Sequence, residues 1–147
     1  MIRIAIVDDH AMVRAGLRQF FADEPDFSVV AEAANGREAL DLVRQGELDV
    51  MVMDISMPDH SGIDALVAIK ARAPDLPVLI LSGFSEVHYA TTMLRHGASG
   101  YLNKDCDPAD IITAIRTVHR GRKYITPGVA ELLAEGLGTV SYTHLRA

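Results

Sequence analysis

Four short apolar runs, each ending in a side chain able to handle phosphate, constrain this chain more than any other feature. Ile2–Val7 runs into Asp8 and Asp9, Leu48–Met53 into Asp54, Leu76–Leu81 into Ser82, and Ser99–Asn103 into Lys104. Such runs are β-rich, and the stretches between them carry helical spacing, which points to a parallel sheet built of βα units. Open parallel sheets bind ligands outside the carboxyl ends of their strands, near the point where strand order reverses. The pattern therefore sets three carboxylates, a hydroxyl and an ammonium on one rim.

The intervening segments complete the architecture. A helix is predicted over 10–23, with Val13, Leu17, Phe20 and Phe21 on one apolar stripe and Pro25 as its stop. Phe27–Ala33 reads as a second strand, Asn35-Gly36 as a turn, and 37–45 as a second helix turning Ala39, Leu40 and Val43 inward. The third strand is predicted over 48–53. Ser61 is the expected N-cap of a third helix reaching about residue 71, with Ile63, Leu66, Val67 and Lys70 at helical spacing. A fourth strand spans 78–81. Ser85 is expected to cap a fourth helix with Val87, Ala90 and Leu94 inward and Gly97 as its stop. Strand five is short, 100–102, and helix five, 108–120, buries Ile111, Ile115 and Val118. Thr126-Pro127 opens a short sixth helix over 127–135, and 139–147 shows neither period. Five βα units predict a doubly wound, flavodoxin-like α/β fold: a five-stranded parallel sheet, order 2-1-3-4-5, with helices on both faces.

Bulk properties narrow the function. Of 147 residues 49% are apolar, enough for one proper core, and the net charge of −6 argues against direct binding of nucleic acid. The single cysteine, Cys106, excludes an intrachain disulfide and fits a reducing compartment. The first apolar run is too short for a signal-peptide core. No apolar stretch approaches the roughly 18 residues of a membrane helix. A cytoplasmic chain with no membrane partner is the expectation.

Carboxylates crowded on one rim repel one another, and a divalent cation relieves that repulsion. Oxygen-only ligands suit Mg²⁺. Asp54 is the best candidate nucleophile, since a carboxylate can attack phosphorus to give an acyl phosphate. Mg²⁺ held by Asp8 and Asp9 would neutralise one side of the incoming group, and Lys104 would place a point charge on the other. The Ser82 hydroxyl can donate to a phosphoryl oxygen, and Gly83 leaves room beside it. Singly, each residue has a plainer reading. Asp9 could be the N-cap of helix one, Ser82 a turn residue, Lys104 a solvated charge. His10 reads as a solvent-facing or helix-capping residue, and Cys106 as an incidental loop thiol. Met51 and Met53 alternate with Val50 and Val52 as sheet core. Joint placement after strands one, three, four and five favours the phosphate site.

With these residues in view, the chain resembles a receiver domain (CheY-like) of a bacterial two-component response regulator, and within that family the NarL/FixJ, LuxR-type branch. The matching strings are Ile6-Val7-Asp8-Asp9-His10, Val13-Arg14-Ala15-Gly16-Leu17, Ala33-Ala34-Asn35-Gly36-Arg37-Glu38-Ala39, Met53-Asp54-Ile55-Ser56-Met57-Pro58, Gly62, Leu81-Ser82 and Gly97-Ala98-Ser99-Gly100-Tyr101-Leu102-Asn103-Lys104-Asp105, spanning about 1–136. The resemblance implies that Asp54 accepts a phosphoryl group from a sensor histidine kinase. It implies that Asp8, Asp9, Asp54 and the Ser56 backbone carbonyl hold Mg²⁺, that Lys104 binds the phosphate, and that Ser82 and Tyr101 form a switch pair. On that resemblance Ser82 is expected to move toward the phosphate and the Tyr101 ring to fill the vacated space. A homodimer on phosphorylation is a further expectation.

Two departures from the family pattern bear on chemistry. Asp105 stands where many receivers carry proline, which puts a cis peptide after Lys104 in doubt. Phe84, two residues beyond Ser82, is expected to shield the acyl phosphate from water. The implied organisation is a receiver over 1–121, a linker with a short helix over 122–136, and an unstructured or non-native tail over 137–147. A helix-turn-helix domain does not fit in the dozen residues after Glu135, so DNA would be reached only through an effector domain outside this chain. The expected role is a phosphorylation-controlled switch that turns over no separate substrate. The competing readings are a phosphate-independent module of the same fold and an aspartyl-phosphate phosphohydrolase. The latter wants a second acid where Ser56 stands.

Overall fold

The computed structural model describes residues 1–55, 60–83, 87–127, 129–131 and 134. Ten elements alternate along the chain: β1 (Ile2–Val7), α1 (Ala11–Ala22), β2 (Phe27–Ala33), α2 (Gly36–Gln45), β3 (Val50–Ile55), α3 (His60–Arg72), β4 (Val78–Ser82), α4 (Val87–Arg95), β5 (Gly100–Asn103) and α5 (Pro108–His119). The strands form one parallel sheet in the order β2-β1-β3-β4-β5, as expected. β3 and β4 are buried throughout, which is why their sequences run apolar without a break.

Alternation along the strands divides the core in two. Ile2, Ile4, Ile6, Val50, Val52, Leu79, Leu81 and Leu102 face α1 and α5 and pack against Phe21, Ile111, Ile115 and Val118. Ala5, Val7, Met51, Met53, Ile55, Val78, Ile80 and Tyr101 face α2, α3 and α4. One irregularity disturbs this alternation. Ile4 pairs with Val29 but Ala5 pairs with Ala31, so Val30 is an extra residue in β2, bulged out and 48% exposed. Phe27 and Val29 precede the bulge and face α1. After it the parity is reversed: Ala31 and Ala33 join the opposite core, and Glu32, opposite Ile6, faces α1.

Several local expectations are corrected. β3 begins at Val50 rather than Leu48 and runs on to Ile55, because Asp54 and Ile55 still pair with Leu81 and Ser82. Asp54 therefore sits inside a strand and not after one. α3 opens at His60, so Ser61 lies within the helix and cannot cap it. Val67 is 45% exposed; Ile69, fully buried, takes the inward position beside Leu66. The Lys70 amine donates to the carbonyls of Pro74 and Leu76, both at 2.8 Å, and ties the end of α3 to the turn before β4. Its stem packs where a Cβ on Gly97 would sit, and Gly97 has a φ of +108°, so only glycine fits there. The Ser85 cap, the Phe84 shield and the tail 137–147 lie outside the described residues.

The chain after α5 returns to the sheet. Tyr124 forms a parallel bridge to Gly100, its N–H donating to the Ser99 carbonyl at 2.9 Å. Gly100 is required by this approach: a Cβ there would lie 3.0 Å from the Tyr124 carbonyl oxygen and 2.8 Å from Leu79 Cδ1. Beyond it Ile125 packs on the core that contains Tyr101, and Val129, in a helical turn, is buried in that core. Among the described residues no helix is long and apolar enough to cross a membrane.

Candidate functional site

Strand order and register bring the four strand ends together. Val7 pairs with Met53, Ile55 with Ser82, and Ser82 with Asn103. Asp8 therefore stands level with Asp54, Ser82 is one strand further, and Lys104 follows the last pair. The Lys104 N–H donates to the Ser82 carbonyl at 2.8 Å, which fixes where the lysine leaves β5. β5 lies two strand spacings from β3, roughly 9–10 Å. The four-carbon stem of Lys104 spans that gap, and its Nζ reaches 2.5 Å from Asp54 Oδ1. By distance this is an ion pair. Asp54 Oδ1 is otherwise buried without a hydrogen-bond partner.

The carboxylates differ in environment. The Asp8 side chain is fully buried and that of Asp54 is 2% exposed, whereas Asp9 is open to solvent. Asp8 Oδ1 accepts from the His10 N–H at 2.6 Å, while Asp8 Oδ2 is buried with no hydrogen-bond donor. Burial pushes the Asp54 carboxyl up, the facing Asp8 carboxyl pushes it further, and Lys104 only partly offsets them; Asp54 titrates at about 7. Asp8 goes the other way. Burial works to raise it, but hydrogen bonding with Asp54 and the His10 N–H, helped by the Lys104 charge, holds it below the usual carboxylate range.

Asp8, Asp9 and His10 offer ligand atoms that all lie within 4.8 Å of one another. His10 occupies the N-cap position of α1 without a capping side-chain bond, and Asp9 does not. The His10 ring is exposed, its Nδ1 lying 2.8 Å from Asp9 Oδ1 and 3.2 Å from Asp8 Oδ1. Crowded oxygens, one of them buried and undonated, fit a hard divalent cation of the Mg²⁺ kind. Ser56 lies outside the described residues.

Ser82 and Tyr101 occupy the other face. Ser82 is wholly buried, and Tyr101 pairs with Ile80 two residues upstream, so the two side chains lie on the same side of neighbouring strands. The Tyr101 ring is 6% exposed and meets Tyr89 of α4 edge-on, centroids 6.5 Å apart. Cys106 is half-buried in the loop before α5, and the Lys104–Asp105 peptide is trans.

Residues that composition and spacing do not single out also shape the rim. Arg14 of α1 donates from Nη1 to the Asp8 carbonyl at 2.5 Å and from Nε to Glu32 at 3.2 Å. The string containing Arg14 is visible in the sequence, but its partner is not, because the bulge at Val30 decides which way Glu32 faces.

A parallel sheet of this order with acids, a hydroxyl and a lysine on its carboxyl rim defines a receiver-type α/β scaffold. Residues 4–116 match the response regulator receiver domain family, and the chain belongs to that family. It is a receiver domain of the two-component response regulators, a signalling protein, in the NarL/FixJ, LuxR-type branch. It is 42% identical over 132 residues to the transcriptional regulatory protein DegU of Brevibacillus brevis, covering 90% of this chain and 56% of that protein. The response regulator UvrY of Escherichia coli is 36% identical over 134 residues, covering 91% and 62% respectively. The chain thus spans less than two thirds of the length of these curated relatives. Among solved structures, a LuxR-family two-component response regulator from Aurantimonas sp. superposes with a TM-score of 0.81 at 37% identity, covering 91% of this chain and 96% of that one.

Proposed function

We propose that this chain is the phosphoacceptor unit of a response regulator, with Asp54 taking a phosphoryl group from a sensor histidine kinase in a Mg²⁺-dependent step. One observation carries the reading: a buried carboxylate on the sheet's carboxyl rim, flanked by a second buried acid and met by the lysine that follows β5 directly. An Asp54 oxygen attacks phosphorus, the phosphorus–nitrogen bond of the phosphohistidine breaks, and the imidazole leaves. Lys104 pairs with the arriving oxygens instead of with Asp54, and the Ser82 hydroxyl donates to one of them. Asp8, Asp9, Asp54 and the Ser56 carbonyl would hold the cation, which supplies charge neutralisation at the attacking carboxylate. Phosphoryl transfer asks for positioning and electrostatics above all, and this rim offers both.

Ser82 and Tyr101 share a face, so displacement of Ser82 toward the phosphoryl group alters the space beside the ring. The differential contact of Ser82 with the modified and unmodified Asp54 is what shifts the population. The output is a LuxR-type transcription regulator, reached through a DNA-binding domain separate from these residues. Residues 1–121 form the phosphoacceptor unit and 122–136 the linker to it, in a cytoplasmic protein that pairs on phosphorylation. Incubation with Mg²⁺ and acetyl phosphate, followed by intact mass, tests the core of this. One added phosphoryl group is expected, and none with Asp54→Asn. Continuous phosphate release without a stable adduct would mark a hydrolase instead, and no reaction would mark a phosphate-independent module.

A further inference from the structure

We infer that Arg14, held by Glu32, is a positioning residue for the acidic rim, setting the backbone from which Asp8 and Asp9 project; this rests on the proposed Mg²⁺ site. Pairing between β1 and β2 ends at Val7 and Ala33. The Asp8 N–H still finds the Ala33 carbonyl at 3.0 Å, but the Asp8 carbonyl has outrun the ladder, since Asn35 has left to cap α2. Arg14 supplies the missing donor through Nη1 at 2.5 Å. Its Nε is bonded to Glu32, and Arg18 meets the other Glu32 oxygen, so the guanidinium is anchored on both sides. Arg14 is mostly buried, at 18% side-chain exposure. Its own N–H donates to the His10 carbonyl at 3.1 Å, so one residue grips the segment 8–10 at two carbonyls.

The consequence is geometric. The Asp8–Asp9 peptide is fixed at its carbonyl oxygen, which sets where both flanking carboxylates stand. A planar two-point fork does this and an ammonium does not. Electrostatics alone predicts the opposite: a cation beside two acids repels Mg²⁺, so removing it would tighten metal binding. The sign of the change therefore separates positioning from charge.

Calorimetric titration with MgCl₂ at pH 8 provides the test, with far-UV circular dichroism and urea unfolding of each variant. Arg14→Gln and Arg14→Lys are both expected to bind Mg²⁺ about tenfold more weakly, the low end for residues behind metal ligands. Glu32→Gln, the fallback if Arg14 variants do not fold, removes a negative charge and so weakens Mg²⁺ binding by charge alone; its loss is expected to persist at about 0.5 M KCl, where that charge is screened, and a loss that vanishes there overturns the positioning role. The Mg²⁺ concentration for half-maximal acetyl phosphate uptake rises in parallel, while the rate at saturating Mg²⁺ does not fall in proportion. Arg14→Gln binding as tightly as the parent, or more tightly, overturns the positioning role. So does an Arg14→Lys variant that restores parent affinity. A parent chain that takes up no Mg²⁺ overturns the metal site itself, and the positioning role with it.

Discussion

Replacement of Asp54 by Asn is expected to make the metal-free protein more stable, because the native fold holds that carboxylate where it does not want to be ionised. Its side chain is 2% exposed, so solvent screening gives little relief. The carboxyl titrates at about 7 in the folded chain, against 3.8 for an unperturbed aspartate. Each pH unit between those values corresponds to about 1.36 kcal/mol, which sets a ceiling of roughly 4 kcal/mol. Asp8 shifts in the opposite sense within the same pair, and loss of the half-exposed Lys104 contact removes up to about 1 kcal/mol. A net gain of about 2 kcal/mol remains at pH 8, or a rise of roughly 1 M in the urea midpoint. The sign with pH follows from a folded pKa raised above the unfolded one. Native stability is intact below pH 3.8 and is lost as pH rises through 7, so the advantage of Asn is near zero in acid and levels off above 7. Urea unfolding in EDTA at pH 4, 6 and 8 reads this directly. Added Mg²⁺ should narrow the gap by stabilising the parent. An Asn variant no more stable than the parent at pH 8, or a gain that does not change with pH, refutes the reasoning.

Mg²⁺ affinity is expected to fall as pH drops below about 7, approaching tenfold per unit, because the cation must displace the proton on Asp54; titration in buffers of different ionisation heat measures the release. Gly100→Ala forces a methyl against Leu79 and the Tyr124 carbonyl and is expected to destabilise by about 1–3 kcal/mol, seen as a lower melting temperature. Ending the chain at residue 121 removes buried Val129 and the partly buried Tyr124 and Ile125, and about 3 kcal/mol of burial is expected to go with them in denaturant unfolding.

The sheet order and the rim are legible in the sequence because the physics there is local. An apolar run that stops at an acid, a serine or a lysine marks a strand end, and parallel order stacks those ends. The apolar run alone puts Asp54 just past its strand; Ile55 extends the strand, and only the partner strand shows that pairing persists to Ser82. Val67 and Ile69 trade places for a similar reason. Both fit a helical stripe, and only the packed fold shows that the Ile69 side of α3 is the buried one. The Tyr124–Gly100 bridge leaves no periodic trace, as one pair of residues makes no pattern. Arg14 stands in a recognisable string, but its task depends on which side of β2 Glu32 faces.

That last point bears on how the chain tolerates change in length. Val30 is an odd residue inserted in an edge strand, and everything downstream of it to Ala33 is registered by that oddness. Deleting Val30 would restore strict alternation: Val29 stays opposite Ile4, Ala31 opposite Ala5 and Glu32 opposite Ile6, so Glu32 keeps facing the guanidinium. Losing a second residue leaves the strand one short of its partner, and either the Phe27 end or the Glu32 end must change face. A one-residue loss at the bulge should thus be milder than a two-residue loss.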